Sequence, residues 1–533
     1  MFENRRMPNG TSEPSLGLCG VGGRAREGSL YPITYFSRQT YGRRRVNYVS
    51  FRFLGKNMAS LLSDLQACLG SDRVLTDAMA LAPLLLDNRG RWQGRALCAV
   101  FPSTTEEVSE IMRIACRHNA LVFAQGGNTG NAAAATPVVN DTDVSRTVLL
   151  STTRLRRIEK IDTVNDSVVV QAGVPVAAVR ETAALQKRLF ALSLASDGTA
   201  TVGGVLATNA GGVHVLRYGN ARDLCLGLEV VLCDGRVLDL MRGLRKDNTG
   251  YDLKSLFIGS EGTLGIITKA VLKLYPLPAS RKVLWLSLDS LRKIEPLFCA
   301  FQKQAGHALS AFEIVHQTPL QRVAQVFPEK IKKIDTHSPW SVLVELSYSD
   351  TQDETQSTDL LESLLEGLLE QGIITDAVLS QSEIQCEALW AVREAVPEAH
   401  KKTGGNVKHD ISVPRSRLAE FVEQTNAALA KRFSWIEPSV FGHFGDGNLH
   451  YNMGVVPGQD PRLCFAFEKE INAIVYEHVA RFNGSVAAEH GVGRMKRDLI
   501  EQTKPADELQ LMRKLKSIFD PDNRLNPGAV VSP

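Results

Sequence analysis

Two short stretches of this chain combine histidines and carboxylates with closely spaced glycines. Residues 441–452, FGHFGDGNLHYN, hold His443 and His450 among three glycines. Glycine costs about 1 kcal/mol per interior helical position relative to alanine, so the stretch predicts a strand that ends in a tight bend. Residues 488–493, AEHGVG, add Glu489 and His490 in a similar setting. We expect both histidines of the first stretch to lie at one end of a strand pair.

These side chains are of the types that bind a first-row divalent metal. His443, His450 and Glu489 form such a ligand set and leave coordination positions open for a substrate. His490 would then be free to move a proton, because the unperturbed pKa of imidazole, about 6.5, lies near neutral pH. The alternative is a glycine-rich turn with solvated histidines. Three of the eleven histidines of the chain fall in these two stretches, which favours a functional site.

Length and composition restrict the class of protein. A chain of 533 residues is too long for one hydrophobic core and predicts two or three domains. Its 44% hydrophobic and 22% charged residues are typical of a globular protein, and no apolar run approaches the ~20 residues that span a bilayer. The nine cysteines include no Cys-x-x-Cys pair, which argues against an iron–sulfur cluster and for a reducing compartment. No basic patch indicates nucleic-acid binding.

The first 57 residues differ from the rest of the chain. They carry ten basic residues, nine of them arginine, against three glutamates, and they show no apolar periodicity. Such a leader resembles a mitochondrial transit peptide, but it contains no clear amphipathic helix. We therefore expect residues 1–57 to be disordered or to result from an upstream start codon, with leucines at helical spacing after Met58. The expected location is the cytoplasm, with peripheral contact at the inner membrane as one option, or the mitochondrion if the leader is a transit peptide.

From Leu97 onward, strands alternate with helices and with glycine-rich loops. The apolar strand Leu97–Phe101 precedes a helix capped by Ser103 or Thr104, and the strand Leu121–Ala124 leads into QGGNTGN. Two further loops rich in Gly, Ser and Thr follow at residues 196–212 and 259–268. The first loop is neither a Gly-x-Gly-x-x-Gly nor a P-loop motif and is weak evidence alone. Three such loops beside strands indicate backbone N–H groups wrapped along one extended, phosphate-bearing ligand.

The order of these loops resembles the FAD-binding domain of the vanillyl-alcohol-oxidase superfamily, also called the PCMH-type domain, from about Leu97 to Leu277. The resemblance implies an α+β fold: a two-subdomain FAD-binding domain, an α+β cap domain and a C-terminal segment that returns to the FAD domain. The implied FAD is non-covalent, because Asn128 stands where covalent members often carry a histidine. The residues that the resemblance assigns to FAD are Gly126, Gly127, Asn128, Thr129, Gly130, Asn131, Ser196, Thr201, Gly203, Gly204, Asn209, Gly211, Gly212, Glu261, Gly262, Ile267 and Asn526.

The expected domain boundaries follow from the same resemblance and from the change to long amphipathic helices beyond Pro276. Residues 1–57 form the extension, and residues 58–277 form the FAD-binding domain. Residues 278–505 form the substrate or cap domain, of the type found at the C-terminus of FAD-linked oxidases. Residues 506–533 form the closing segment that packs on the FAD domain.

The stretch Arg245–Leu253, RKDNTGYDL, narrows the resemblance to the FAD-linked D-2-hydroxy acid dehydrogenases, which act on D-2-hydroxyglutarate, D-lactate or glycolate. The resemblance implies that Arg393, Lys408 and Asn452 bind the substrate. It also implies that His443, His450 and Glu489 bind a divalent metal, with zinc favoured. His490 would be the general base, and the hydride would pass to flavin N5.

One residue departs from the family pattern. Members that oxidise 2-hydroxyglutarate usually carry a threonine four residues after the substrate-binding arginine, and this chain has Pro397 there. Proline has no hydroxyl to donate to a distal carboxylate. The departure therefore argues against the five-carbon diacid and for shorter acids, and D-2-hydroxyglutarate, D-lactate and glycolate are the substrates to distinguish.

Three further expectations concern the electron acceptor, the oligomeric state and an alternative function. No nicotinamide motif is present, and the resemblance implies an electron-transfer flavoprotein, a quinone or a cytochrome as the electron acceptor. A homodimer is an option that the sequence does not decide. The alternative function is a catalytically silent, flavin-carrying subunit of a larger glycolate or lactate oxidase. The intact set of His443, His450, Glu489 and His490 argues against that alternative.

Overall fold

A computed structural model describes residues 61–532, so the predicted extension at residues 1–57 lies outside the described residues. The predicted helix near the start of the body is present as α1 (residues 61–69). It buries Leu61, Leu65 and Leu69, which are spaced four residues apart and share one face.

The first sheet contains the strands that lead into the first glycine-rich loop. Its order is β1-β2-β4-β3, with β2 and β3 both parallel to β4 and β1 antiparallel to β2. The Thr104 hydroxyl caps α3 by accepting from the Glu107 N–H at 3.2 Å, as the sequence predicted. The elements are β1 (Val74–Leu75), α2 (Ala78–Leu85), β2 (Cys98–Val100), α3 (Thr105–Arg117), β3 (Leu121–Gln125) and β4 (Thr147–Ser151).

The second sheet is antiparallel, in the order β5-β6-β10-β8-β9, and a two-stranded ribbon of β7 and β11 lies beside it. Apolar residues of both sheets form one continuous core. The elements are β5 (Ile158–Asp162), β6 (Ser167–Gln171), α4 (Val176–Leu185), β7 (Arg188–Leu189), α5 (Val202–Thr208), α6 (Val215–Tyr218), β8 (Cys225–Val231), β9 (Val237–Leu240), α7 (Lys254–Phe257), β10 (Ile266–Lys273) and β11 (Tyr275–Pro276).

A third sheet of seven strands, the cap sheet, has the order β15-β12-β14-β13-β17-β18-β16 and a core of its own. All of its pairings are antiparallel. The elements are β12 (Ser280–Leu288), α8 (Ile294–Ala305), β13 (Leu309–His316), α9 (Gln317–Val326), β14 (Trp340–Tyr348), α10 (Thr351–Glu370), β15 (Asp376–Leu379), α11 (Glu383–Lys402), β16 (Asp410–Ser412), α12 (Leu418–Arg432), β17 (Ile436–His443), β18 (Asn448–Val455), α13 (Arg462–Ala466) and α14 (Glu468–Arg481).

The chain then returns to the first sheet through α15 (Arg497–Thr503) and α16 (Ala506–Phe519). Leu525 forms a parallel bridge with Val122 in β3, and the Lys516 ammonium donates to the Thr263 carbonyl at 2.9 Å. The predicted α+β fold with a returning C-terminal segment is thereby confirmed. The exact domain limits stay predictions. Within residues 61–532, no helix is both long and apolar enough to cross a membrane.

Candidate functional site

The hairpin of β17 and β18 presents the two histidines of the first stretch, as the glycine pattern predicted. In its register Phe441 lies opposite His450 and His443 lies opposite Asn448, which leaves the two imidazole centroids 5.5 Å apart. Gly447 ends the bend at φ +80°, in the left-handed region that glycine adopts without strain.

Asp410, at the start of β16, holds the second stretch against this hairpin. Its Oδ2 accepts from the backbone N–H groups of Glu489 and His490, at 3.1 and 2.9 Å. Its Oδ1 accepts from the Asn448 side-chain amide at 3.1 Å. Burial alone would raise the pKa of Asp410, but the charges of His490 and nearby basic groups hold that pKa well below its usual value.

Four side chains meet closely enough to share one cation: Asp410, His450, Glu489 and His490. One ligand atom from each lies within 4.8 Å of all the others. Glu489 Oε1 is 3.6 Å from His450 Nε2 and 3.5 Å from His490 Nε2. His490 Nδ1 is 3.4 Å from Asp410 Oδ2 and is buried without a hydrogen-bond partner among residues 61–532. Two imidazoles and two carboxylates suit a first-row divalent metal, so the donor set fits the implied ion.

His443 was predicted as a metal ligand, and it lies beside this group of four rather than within it. Its Nδ1 is 2.5 Å from Glu313 Oε1, in a pairing that follows from the alignment of β13 with β17. Burial lowers the pKa of His443, but Glu313 outweighs it and raises that pKa to about 9. A carboxylate on one ring nitrogen is the usual partner of a metal-ligating histidine, because it orients the other nitrogen. The predicted role of His443 therefore stays a prediction.

Arg393, predicted to bind the substrate carboxylate, is also held by Glu313. Its Nε donates to Glu313 Oε2 at 2.9 Å, and its guanidinium carbon lies 4.7 Å from the centroid of the Phe441 ring. Arg393 is 6% exposed and Glu313 is fully buried, so the pair is almost cut off from water. One carboxylate therefore positions both a predicted metal ligand and a predicted substrate ligand.

The other two predicted substrate ligands, Asn452 and Lys408, differ in whether another residue already binds their side chains. Asn452 follows His450 by two residues in β18, so both side chains point to the same face of the strand. Its Oδ1 accepts from the His409 N–H at 3.2 Å. Lys408 is exposed, and among the described residues its ammonium has no hydrogen-bond or ion-pair partner.

The three glycine-rich loops line one cavity of about 1340 Å³ that is open to solvent. Glu489 and His490 line the same cavity, which places the group of four at its wall. Of the seventeen residues assigned to FAD, thirteen line the cavity: Gly126, Gly127, Asn128, Thr129, Gly130, Asn131, Ser196, Thr201, Gly203, Gly204, Glu261, Gly262 and Ile267.

The remaining four, Asn209, Gly211, Gly212 and Asn526, are not among the lining residues. The two asparagines hold the neighbouring backbone instead. Asn209 Oδ1 accepts from the Arg222 N–H, and the Asn526 amide donates to the Glu261 carbonyl at 2.7 Å.

One feature of the cavity leaves room for a large cofactor, and a second connects the cavity to the stretch that carries Glu489 and His490. A methyl group on Gly130 would meet no atom within 4 Å, so this part of the first loop faces open space. Glu261 has φ +52°, and its carboxylate accepts from the N–H groups of Val492 and Gly493, at 2.7 and 2.8 Å. Burial raises the pKa of Glu261 to about 7. Through these hydrogen bonds, Glu261 connects the third glycine-rich loop to the stretch that carries Glu489 and His490, and all three residues line the same cavity.

Sequence reasoning missed Asp410 and Glu313. A carboxylate in an otherwise apolar strand is a signal that could have been used, and Glu313 gives it within LSAFEIVH of β13. Asp410, two residues after Lys408 in the short strand β16 (DIS), gives no such signal.

Comparisons with known proteins bear on both parts of this site. A family model described as an FAD binding domain matches residues 96–241, and the C-terminal domain of FAD linked oxidases matches residues 277–530. The first match covers the loops at residues 126–131 and 196–212. The second covers the group of four.

Two curated relatives are similar over most of the chain. The mitochondrial D-2-hydroxyglutarate dehydrogenase of Bos taurus is 37% identical over 455 residues, which are 85% of this chain and 80% of the relative. A Schizosaccharomyces pombe protein, provisionally named a mitochondrial D-lactate dehydrogenase, is 35% identical over 462 residues, 85% of each chain.

Among solved structures, p-cresol methylhydroxylase with substrate bound aligns with a TM-score of 0.70. The alignment covers 90% of this chain and 97% of that one at 17% identity. At this identity the likeness establishes a shared fold and nothing about substrate.

Proposed function

This chain belongs to the FAD-linked D-2-hydroxy acid dehydrogenases, and on that premise we propose that it oxidises D-2-hydroxyglutarate or D-lactate to the 2-oxo acid. Glycolate is the third substrate to be tested. One observation carries the proposal: Glu489 and His490 belong both to the group of four and to the wall of the cavity formed by the glycine-rich loops. An alcohol held at that group would therefore face a flavin in the cavity.

The reaction removes a hydride from C2 and a proton from the hydroxyl. The substrate therefore loses two electrons and two protons as it becomes a 2-oxo acid. When bound, FAD supplies the hydride acceptor and a divalent cation, zinc in our proposal, lowers the pKa of the hydroxyl. His443, His450 and Glu489 are the side chains proposed to hold the cation, and Asp410 lies beside them, where it accepts from the backbone N–H groups of Glu489 and His490.

His490 is the proposed general base for the hydroxyl proton. Its half-buried imidazole lines the cavity, and Asp410 fixes its backbone through the 2.9 Å hydrogen bond. Its Nδ1 lies 3.4 Å from Asp410 Oδ2, so the same carboxylate also lies beside the ring. Positioning within reach of the hydroxyl proton is the first requirement of such a base.

Lys408, Arg393 and Asn452 are proposed to hold the substrate carboxylates. Lys408 has no anionic partner among the described residues, so it can bind a substrate carboxylate without first breaking an ion pair. Arg393 could do so only while sharing its charge with Glu313. Pro397 lies on α11 one turn after Arg393 and adds no donor.

The electrons leave the flavin for a protein or quinone acceptor in our proposal, with an electron-transfer flavoprotein, a quinone and a cytochrome as the candidates. The relatives named above carry the word mitochondrial in their names, and the arginine-rich leader has the composition of a transit peptide. We therefore propose a mitochondrial location. Import of a fluorescent protein fused to residues 1–57 tests it.

Anaerobic bleaching of the visible flavin absorbance tests the function. D-2-hydroxyglutarate, D-lactate, glycolate and D-malate are each added with and without EDTA. Rapid bleaching by a D-acid that EDTA abolishes supports the activity and the metal together. Bleaching that survives EDTA removes the metal from the proposal. FAD-loaded protein that no acid bleaches supports the silent-subunit alternative instead.

A further inference from the structure

The second glycine-rich loop continues directly into a short segment, residues 213–217, that packs against the cap. Val213 contacts the cap core that contains Phe441, and Leu216 contacts the larger core of the cap sheet. A methyl group on Gly445, in the bend between β17 and β18, would lie 2.9 Å from Leu216 Cδ2. This segment of the FAD-binding part therefore touches the hairpin that carries the two histidines of the site.

His214 adds a buried polar contact to this packing. Its Nε2 lies 3.0 Å from Oε1 of Glu345 in β14, and the two side chains are 16% and 1% exposed. Arg217 donates to the carbonyls of Ala308 and Ser347, at 3.2 and 2.8 Å. Arg217 thus binds the backbone of the cap, whereas His214 binds one of its buried carboxylates.

The Glu345 carboxylate also holds α11. Its Oε2 accepts from the Trp390 Nε1–H at 2.8 Å, and the Trp390 ring lies edge-on to the His214 imidazole, with the centroids 6.4 Å apart. Arg393 follows Trp390 by three residues on the same helix, so the two side chains lie on neighbouring turns of one face. Glu345 therefore connects His214 to the part of α11 that carries the proposed substrate-binding arginine.

His214 differs from the other partners of Glu345 in where it comes from. The other side chains within hydrogen-bonding distance of the Glu345 carboxylate, among residues 61–532, all belong to the cap: Arg281, Ser310, Ser347 and Trp390. These contacts hold Glu345 within the cap and do not involve the FAD-binding part. His214 is the partner that ties this cluster to the second glycine-rich loop.

Arg393 has little freedom to bind a substrate from a shifted position. Its Nε and one terminal nitrogen lie 2.9 and 2.8 Å from Glu313 Oε2. Two of its five N–H groups are therefore engaged, and a substrate carboxylate must meet the others. Misplacement of a positioning group by about 1 Å can lower a rate by about 10²-fold. The place of this part of α11 relative to the flavin loops should accordingly matter for the reaction.

We propose that His214 is a positioning residue that, through Glu345 and Trp390, sets the place of Arg393 relative to the second glycine-rich loop. This inference rests on the proposed function, in which Arg393 binds the substrate carboxylate. The substrate is held by the cap and the flavin by the loops, so hydride transfer requires a fixed separation between the two parts. The contact of His214 with Glu345 helps to fix that separation.

The test compares His214→Leu with His214→Gln in the FAD-loaded, full-length protein. Leucine removes the ring nitrogens, whereas the amide nitrogen of glutamine can take the place of Nε2 and donate to Glu345. We expect kcat/KM to fall by about tenfold to a hundredfold in His214→Leu and to stay within about threefold of the wild type in His214→Gln. The ratio of flavin to protein absorbance should not change, because Leu216 and Arg217 still hold the segment.

A matched control and a double variant separate positioning from general stability. Arg217→Gln removes hydrogen bonds from the same segment that do not reach Glu345, so it should lower the melting temperature and leave kcat/KM within about threefold of the wild type. Trp390→Phe removes the Nε1–H donor alone. If His214 acts through Trp390, the losses in kcat/KM of His214→Leu and Trp390→Phe should not multiply in the double variant.

Binding of the 2-oxo acid product, followed by the change in flavin absorbance, gives a readout independent of turnover. Its Kd should rise about tenfold in His214→Leu and recover in His214→Gln. Equal losses of kcat/KM in His214→Leu and Arg217→Gln, independent losses in the double variant, or an unchanged product Kd in His214→Leu would each overturn the inference. FAD-loaded wild-type protein that no D-2-hydroxy acid reduces would instead refute the proposed function, and the inference with it.

Discussion

The two walls of the site are built in different ways. The flavin wall consists of the three glycine-rich loops that line the cavity, and their backbones run close together. A methyl group on Gly127 would lie 1.8 Å from the Thr199 carbonyl oxygen. In the cap wall, buried carboxylates hold the histidines: Glu313 contacts the His443 ring, and Asp410 accepts from the His490 backbone N–H. The flavin wall therefore depends on small residues, and the cap wall depends on charges and on the register of strands.

This difference predicts that a substitution in one wall impairs the function of that wall and leaves the function of the other wall intact. Damage to the flavin wall should release FAD and leave the metal in place. Damage to the cap wall should stop the chemistry and leave FAD bound. Each prediction below tests whether the functions of the two walls are independent or coupled.

The largest effect is expected for His490→Asn on the cap wall. Removal of a general base lowers rates by about 10²–10⁴-fold, so flavin reduction by the D-2-hydroxy acid should slow by that range. The ratio of flavin to protein absorbance should equal that of the wild type, because the loops are unchanged. Stopped-flow reduction measures the rate, and a native rate would refute the base assignment.

A second prediction concerns a carboxylate that joins the walls. Glu345 of the cap sheet is 3.0 Å from His214 Nε2, which precedes α6, and it also accepts from Trp390 at 2.8 Å. Burial would raise the pKa of Glu345, but His214 and, to a lesser degree, Ser310 and Arg281 lower it to about 2. A folded-state pKa this far below 4.5 corresponds to about 3 kcal/mol of stability at neutral pH.

Because the folded-state pKa is depressed, this stability is present above pH 4.5 and is lost as the pH falls toward 2. Glu345→Gln should therefore unfold at lower urea than the wild type at pH 7, and the gap should close between pH 4.5 and 2. Glu383→Gln is the matched control, since Glu383 pairs with Arg281 at the surface, where such pairs contribute about 0–1 kcal/mol. A gap that persists at pH 2 would contradict the assigned pKa.

On the flavin wall, Gly127→Ala should be compared with Gly130→Ala. The new methyl group of Gly127→Ala overlaps the Thr199 backbone, and overpacking of this kind costs about 1–3 kcal/mol, so both the melting temperature and FAD retention should fall. Gly130→Ala places its methyl group in open space and should leave stability within about 0.5 kcal/mol. Metal content, measured by plasma mass spectrometry, should match the wild type in both. A loss of metal in Gly127→Ala would show that the walls are coupled.

The contrast between the flavin wall and the cap wall also explains which site residues could be predicted from the sequence. Glycine-rich loops are local patterns, and thirteen of the seventeen residues assigned to FAD do line the cavity. The hairpin bend around Gly447 was predicted for the same reason. Asp410 and Glu313 were missed because their importance depends on pairing across the sheet, with Asp410 opposite His450 and Glu313 opposite His443. Strand register over such separations has no local signature in a single chain.

The prediction that tests the cap wall most directly concerns Asp410→Asn. Asparagine keeps the size of the side chain but removes the negative charge beside the imidazoles of His490 and His450. Carboxylates that act on metal ligands in this way change metal affinity by about 10–100-fold. We expect that loss in a chelator competition assay, with FAD retained. Asp446→Asn is the control, because Asp446 lies in the hairpin bend outside the group of four.

The outcome decides how Asp410 acts. If Asp410→Asn loses metal and Asp446→Asn does not, the side chains of the cap wall depend on one buried charge, as the flavin wall depends on Gly127. If both variants keep their metal but Asp410→Asn reduces flavin slowly, Asp410 serves only to position His490 for proton transfer. If neither variant differs from the wild type, the hydrogen bonds to the Glu489 and His490 backbones are dispensable. The cap wall would then be held by the β17–β18 hairpin alone.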